Sequence, residues 1–154
     1  MSGADLCKMC GLCCNGTLFG AVRLLEDEPP RRRLPVQRDD AGLLIRLPCP
    51  AHDGVCTIYE DRPAICRTYR CLLLSRLEAG EIELADATAR VSKVKELVVA
   101  IAPLLPPAEE GTLWERVRQL SDAPIAWKQA NADRLLEIAR LRAMVTRFID
   151  PKSG

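Results

Sequence analysis

Eight cysteines lie between residues 7 and 71 of this 154-residue chain, and none follows. They open as Cys7-Lys8-Met9-Cys10-Gly11-Leu12-Cys13-Cys14 and continue at Cys49, Cys56, Cys66 and Cys71. No other feature constrains the fold as much. Whatever joins these sulfurs must also bring the opening segment onto residues 49 to 71.

Three uses of thiols compete. Buried structural thiols are scattered and do not repeat a C-x-x-C spacing. Disulfides belong to oxidising compartments and to chains too small to build a core. This chain shows no basic segment followed by an apolar one near its start, as a secretory leader does, and it is long enough to bury a core. Metal ligation remains, because C-x-x-C presents two thiolates from one turn to one ion. All eight cysteines are therefore candidate metal ligands.

Zinc takes four thiolates and so does a [4Fe-4S] cluster. Eight cysteines fit two four-thiolate sites, or one larger centre with bridging thiolates. Adjacent residues of an extended segment point to opposite sides, so Cys13 and Cys14 are expected to serve different metals or different irons of one assembly. The ligands are expected to interleave: Cys7, Cys10 and Cys13 with at least one of Cys49, Cys56, Cys66 and Cys71, and Cys14 with the rest. The run C-x-x-C-x-x-C matches the first three ligands of a bacterial ferredoxin, and Cys49 precedes Pro50 as the last ligand there precedes proline. The immediate fourth cysteine departs from that pattern, and no second C-x-x-C completes a pair of zinc knuckles. An iron–sulfur centre, [4Fe-4S], is the expected occupant, with zinc the alternative.

Such a centre carries a net charge of about −2, and a partly buried anion needs cations. Arg62 and Arg67, interleaved with the last cysteines, are expected to supply N–H donors to it. Arg46 and Arg70 are equally well read as solvated. His52, the only histidine, reads first as a turn residue and second as a ligand or proton carrier.

With C-K-M-C-G-L-C-C followed by L-P-C-P-A-H-D-G-V-C-T-I-Y-E-D-R-P-A-I-C-R-T-Y-R-C, residues 7 to 80 resemble the YkgJ-like CxxCxxCC family of bacterial cysteine-cluster proteins. The resemblance implies a zinc- or iron-chelating domain with ligation at all eight cysteines. Arg62, Pro63 and Arg67 match the family's R-P and C-R positions. Some members have been labelled iron–sulfur oxidoreductases, and a similar domain occurs in flagellin lysine N-methylases. The resemblance names no reaction for this chain.

The formal net charge is +1, which makes no general electrostatic demand for nucleic acid. No apolar run approaches the ~20 residues of a membrane span, and the cytoplasm is the expected location. The fold is expected to be mainly α: an irregular, cysteine-rich metal module over residues 1–80 with a small β-hairpin, packed on a helical extension over residues 81–150. Residues 1–16 read as loop and Leu18–Leu25 as a short strand or helix. Glu26 to Asp40 reads as a polar connector holding Pro29, Pro30 and the triplet Arg31-Arg32-Arg33. Leu43–Leu47 and Val55–Tyr59 are the hairpin strands, turning at His52-Asp53-Gly54. A helix capped by Asp61 runs from Pro63 towards Ala79 and stops at Gly80.

Beyond Glu81, Leu84, Ala87, Val91, Val94, Val98, Ile101 and Leu105 form the stripe of one long helix, ended by Pro103, Pro106 and Pro107. Leu113, Trp114, Val117 and Leu120 mark a shorter one. Leu135, Ile138, Leu141, Val145 and Phe148 mark the last, after Pro124. Surplus apolar face there could serve a protein partner or a homodimer. Three roles stay open: a redox, sensing or metal- and electron-transfer protein; a structural zinc adaptor; and a cluster-dependent enzyme. The sequence names no base, nucleophile or substrate pocket outside the cysteines.

Overall fold

The computed structural model describes residues 3–28, 34–106 and 111–149, the side chains of 145–149 excepted. Pro29, Pro30, the Arg31-Arg32-Arg33 triplet and Pro107 lie outside the described residues, as do the side chains of Val145 and Phe148. The architecture is mainly α with a small antiparallel sheet, as expected.

The first departure is at the start. Gly3–Cys10 is a helix, α1, rather than a loop. Asp5 stands in its first turn, where a carboxylate meets the positive end of the helix dipole. Leu6 is its buried anchor. Gly11 ends it with φ +66, a left-handed conformation open mainly to glycine. On a helix, residues three apart share a face, so Cys7 and Cys10 come off the same side.

Three short strands follow: β1 (Ala21–Arg23), β2 (Gln37–Asp39) and β3 (Gly42–Arg46). They lie in the order β1-β3-β2, with Val22 opposite Ile45 and Arg38 opposite Leu43. Bidentate pairs hold the exposed side: Arg23 Nη2 donates to Asp39 Oδ2 at 2.8 Å and Arg38 Nη2 to Glu26 Oε2 at 2.9 Å. Both edges of β3 are thus occupied, and this overturns the expected hairpin between residues 43–47 and 55–59. The later segment pairs with itself instead, as β4 (His52–Asp53) and β5 (Val55–Cys56) about Gly54, whose φ is +70.

The expected helix from Pro63 to Ala79 is two: α2 (Ala64–Thr68) and α3 (Leu72–Glu78). Asp61 makes no cap; the Ala64 N–H donates instead to Glu28 Oε1 at 2.7 Å. Between the helices Tyr69 is extended. Its ring meets Phe19 edge-on at 5.5 Å, and Arg70 Nη1 donates to the Arg67 and Tyr69 carbonyls. These contacts satisfy carbonyls that a continuous helix would use. Cys71 then caps α3, its Sγ accepting from the Leu74 N–H at 3.4 Å.

The helical half follows its stripes more closely. Helix α4 spans Leu84–Ile101 and continues as a 3-10 turn through Pro103. Ala87, Val91, Val94, Leu97 and Ile101 are buried, while Leu84 and Val98 are only half-buried. Helix α5, Leu113–Gln119, opens with a capping box in which Thr112 and Glu115 satisfy each other's backbone N–H groups. The single last helix is also two, α6 (Ile125–Ala130) and α7 (Ala132–Ile149). Asn131 divides them, its Nδ2 donating to the Trp127 carbonyl at 2.8 Å and so competing with the helix ladder.

The largest core cluster joins both sides of residue 80. Leu12 and Leu18 are buried against Val94, Leu97 and Ile101 of α4, Val117 of α5, and Ile138 and Leu141 of α7. A second cluster sets Leu6 of α1 against Leu73, Ala87 and Val91. The turn that bears Cys13 and Cys14 is thereby seated on the helices through Leu12, which is 0% exposed.

Candidate metal centre

Cys7 and Cys10 project from α1, Cys13 and Cys14 from the turn that follows. The turn is not extended: the N–H groups of Cys14 and Asn15 both donate to the Gly11 carbonyl at 2.9 Å. Cys49 precedes β4 and Cys56 ends β5. Cys66 stands within α2 and Cys71 at the head of α3. All eight are free thiols; Cys7 is exposed and the other seven are half-buried.

The thiols act on one another in two groups. Cys13 feels Cys10, Cys71, Cys14 and Cys7, in that order; Cys10 feels Cys71 and Cys7; and Cys71 feels Cys7. Cys14 instead feels Cys56, Cys49 and Cys66 ahead of Cys7, and Cys66 feels Cys49 and Cys56. The first group is Cys7, Cys10, Cys13 and Cys71; the second is Cys14, Cys49, Cys56 and Cys66. The groups overlap: the thiol that acts on Cys7 is Cys56 of the second, Cys13 also feels Cys14, and Cys14 also feels Cys7. Among the described residues no three His, Cys, Asp or Glu side chains stand as a finished metal cage. The thiols are neighbours, not ligands already drawn together.

Burial dominates their acidity. It pushes Cys10 up to about 11 against the Leu12 N–H, which lowers it. Cys14 rises to about 12, through burial and the neighbouring thiols of its group. Cys66 rises to about 11, and Cys13 well above the ordinary thiol value. Cys7, Cys49 and Cys71 are raised as well, each by burial first. These seven thiols are therefore protonated at neutral pH without metal, and a metal must displace their protons to take them.

Cations stand among them. Arg62 sits over the Tyr59 ring, its Cζ 3.6 Å from the centroid, and its charge opposes the burial of both Cys7 and Cys66. Its Nε and Nη1 are buried and lack a hydrogen-bond partner. Lys8 Nζ lies 4.5 Å from the same ring, and a Tyr59 side-chain hydrogen bond lowers Cys7. Arg70 lowers Cys7 too, while pairing with Glu78 at 3.2 Å. Arg67 is exposed, and Arg46 faces Glu115 at 3.7 Å. His52 is half-buried, with its Nε2 buried and unpartnered against Gly11.

Sequence reasoning missed three contributors. Lys95 of α4 donates to the Met9 carbonyl at 2.6 Å and lowers Cys10; it is far from the cysteines in sequence and carries no local signal. Glu28 caps α2 and its charge raises Cys66. Tyr59 carries the stacked guanidinium, and its place in I-Y-E-D-R-P was the one available signal. Two surface clefts, of about 270 Å³ beside Arg116 and Trp127 and about 260 Å³ beside Arg23, Arg46 and Trp114, are lined by no cysteine.

No family model, curated protein or solved structure matches the chain. Among the described residues no helix is long and apolar enough to cross a membrane. Eight sulfurs free of disulfides, with buried guanidinium N–H groups that lack an acceptor, fit a thiophilic, anionic centre.

Proposed function

We propose that this is a metal-binding protein of the CxxCxxCC kind, whose eight cysteines hold iron–sulfur centres. The observation that carries the reading is the set of eight free thiols, drawn from both ends of the stretch 7–71 and acting on one another in two overlapping sets. Four is the thiolate complement of one [4Fe-4S] cluster. Cys7, Cys10, Cys13 and Cys71 would hold one centre, and Cys14, Cys49, Cys56 and Cys66 the other. A bound cluster supplies one-electron chemistry. The chain supplies the thiols, the cations Arg62, Arg70 and Lys95, and the apolar seat under Leu12. The role is redox, sensing, or transfer of electrons or metal.

Structural zinc is the second reading. The segment bearing the second group has only Leu34, Ile45 and Ala51 as a buried cluster of its own, and a metal would fold such a segment. Iron and acid-labile sulfide measured on protein purified without oxygen separate the two. Iron with sulfide supports the cluster reading. Stoichiometric zinc without sulfide, under iron-replete conditions, overturns it.

A further inference from the structure

The cleft of about 260 Å³ lies where the three-strand sheet meets α5. Three guanidiniums line it from three elements: Arg23 ends β1, Arg46 ends β3 and Arg118 stands in α5. Two carboxylates line it as well, Asp39 of β2 and Glu115 of α5. Asp39 is taken by Arg23 in a bidentate pair. Glu115 Oε2 accepts from the Thr112 N–H at 2.9 Å and from the Thr112 hydroxyl at 3.2 Å. Its Oε1 stands 3.7 Å from Arg46 Nη1, beyond hydrogen-bond range. Among the described residues Arg118 pairs with no carboxylate. Three cations therefore line the cleft against two anions, and the guanidinium donors of Arg46 and Arg118 are open.

The walls are fixed from the backbone. The Trp114 N–H donates to the Gly16 carbonyl at 3.2 Å, which ties the start of α5 to the segment leading into β1. A Cβ at Gly20 would stand 2.7 Å from Glu115 Oε1, so glycine there is what lets the carboxylate lie against the chain. Trp114 adds an apolar wall beside the two open guanidiniums.

We propose that this cleft binds a small aromatic phosphate, with its ring against Trp114 and its phosphate between Arg46 and Arg118. A guanidinium presents a planar fork that matches phosphate oxygens and keeps its charge. The volume falls just below that of drug-sized sites, so the cleft suits a single ring. No cysteine lines it, and the site stands whether or not the thiols hold a cluster.

The test uses 4-nitrophenyl phosphate on the full chain, because a nitrophenyl ring quenches indole emission on contact. The chain has two tryptophans, and Trp127→Phe leaves Trp114 as the reporter. Saturable static quenching is expected, with 4-nitrobenzyl alcohol and inorganic phosphate each binding more weakly than the ester. Arg46→Gln and Arg118→Gln should each weaken the ester about ten-fold or more, the usual loss for a hydrogen bond to a charged group. Arg140→Gln, on the exposed side of α7, should change nothing. In Trp114→Phe, which keeps Trp127, the saturable quenching should vanish. Absence of saturable quenching at millimolar ester overturns the proposal. Equal binding of the neutral alcohol overturns it too, as does unchanged affinity in both arginine variants. Inorganic phosphate binding as tightly as the ester would overturn the role of Trp114 and leave an anion site alone. Should Arg46→Gln or Arg118→Gln lose the parent's circular dichroism, the lysine variant at that position decides by the same loss of affinity.

Discussion

The N–H of Cys49 donates to the carbonyl of Cys14 at 2.7 Å. This bond closes the 34 residues between them into a loop and sets the opening turn against the start of the β4–β5 hairpin. Leu47 N–H to Gly20 carbonyl, at 3.1 Å, repeats the clamp six residues further along. The Cys14 thiol is raised by Cys56, Cys49 and Cys66 ahead of Cys7, while its neighbour Cys13 is raised by Cys10 and Cys71 ahead of Cys14. Adjacent thiols on the turn held by the Gly11 carbonyl thus have different leading partners.

Gly11 is the hinge of that turn, and Gly11→Ala should loosen it. The left-handed φ alone is expected to cost about 1–2 kcal/mol. A Cβ there would also stand 2.5 Å from His52 Nε2. Gly80, with φ +71 and open space around it, would incur the backbone cost alone. Urea denaturation should show Gly11→Ala losing more stability than Gly80→Ala, with His52→Ala recovering the difference. Equal losses at the two glycines would remove the packing role of His52.

Stability of the reduced, metal-free chain should fall in alkali. Burial holds Cys10 and Cys66 up to about 11 and Cys14 up to about 12, against 9.0 for an ordinary thiol. The folded state therefore binds more protons than the unfolded one above about pH 9, and stability must decrease as pH rises through that window. Below it the contribution is fully present. Metal loading has the opposite sign, because it releases the thiol protons and is favoured as pH rises. The urea midpoint of the metal-free protein should drop steadily above about pH 9; a midpoint that rises there contradicts the burial of these thiols.

Leu12 links the cysteine turn to the helices. Leu12→Ala should cost about 2–5 kcal/mol, the range for emptying a closed leucine site, and should speed amide exchange in α4 as well as in the turn. Lys95→Met removes the donor to the Met9 carbonyl and the cation beside Cys10. It should weaken metal held by Cys7, Cys10, Cys13 and Cys71 and spare the other group. Loss of protection confined to residues near Leu12 would show that the two halves unfold separately.

The helical stripes were legible because packing and local period agree: Val91, Val94, Ile101, Ile138 and Leu141 are buried where a 3.6-residue repeat places them. As a candidate ligand set, the eight cysteines were legible from spacing alone. Helix α1 was not, because C-x-x-C with a following glycine suits a metal loop as well as a helix end. The pairing of β3 with β1 joins segments far apart in sequence, which no local pattern encodes, while β2 turns tightly into β3 from within the stretch expected to be a polar connector. The breaks at Tyr69 and Asn131 come from side chains competing for backbone groups, through Arg70 in one case and Asn131 itself in the other. Arg62 was legible as a cation near thiols, but its stack on Tyr59 was not.

Metal content in a serine series tests the division of the thiols most directly. Protein prepared without oxygen is compared as wild type, Cys13→Ser, Cys14→Ser, and the double variant. If the groups are Cys7, Cys10, Cys13, Cys71 and Cys14, Cys49, Cys56, Cys66, each single variant should keep about half the wild-type iron and sulfide, since each cluster needs four thiolates. The two halves should differ in spectrum, and the double variant should keep neither. Loss of all metal in both single variants would show one undivided centre, and full retention in Cys14→Ser would show that Cys14 is not a ligand. Either result contradicts the account.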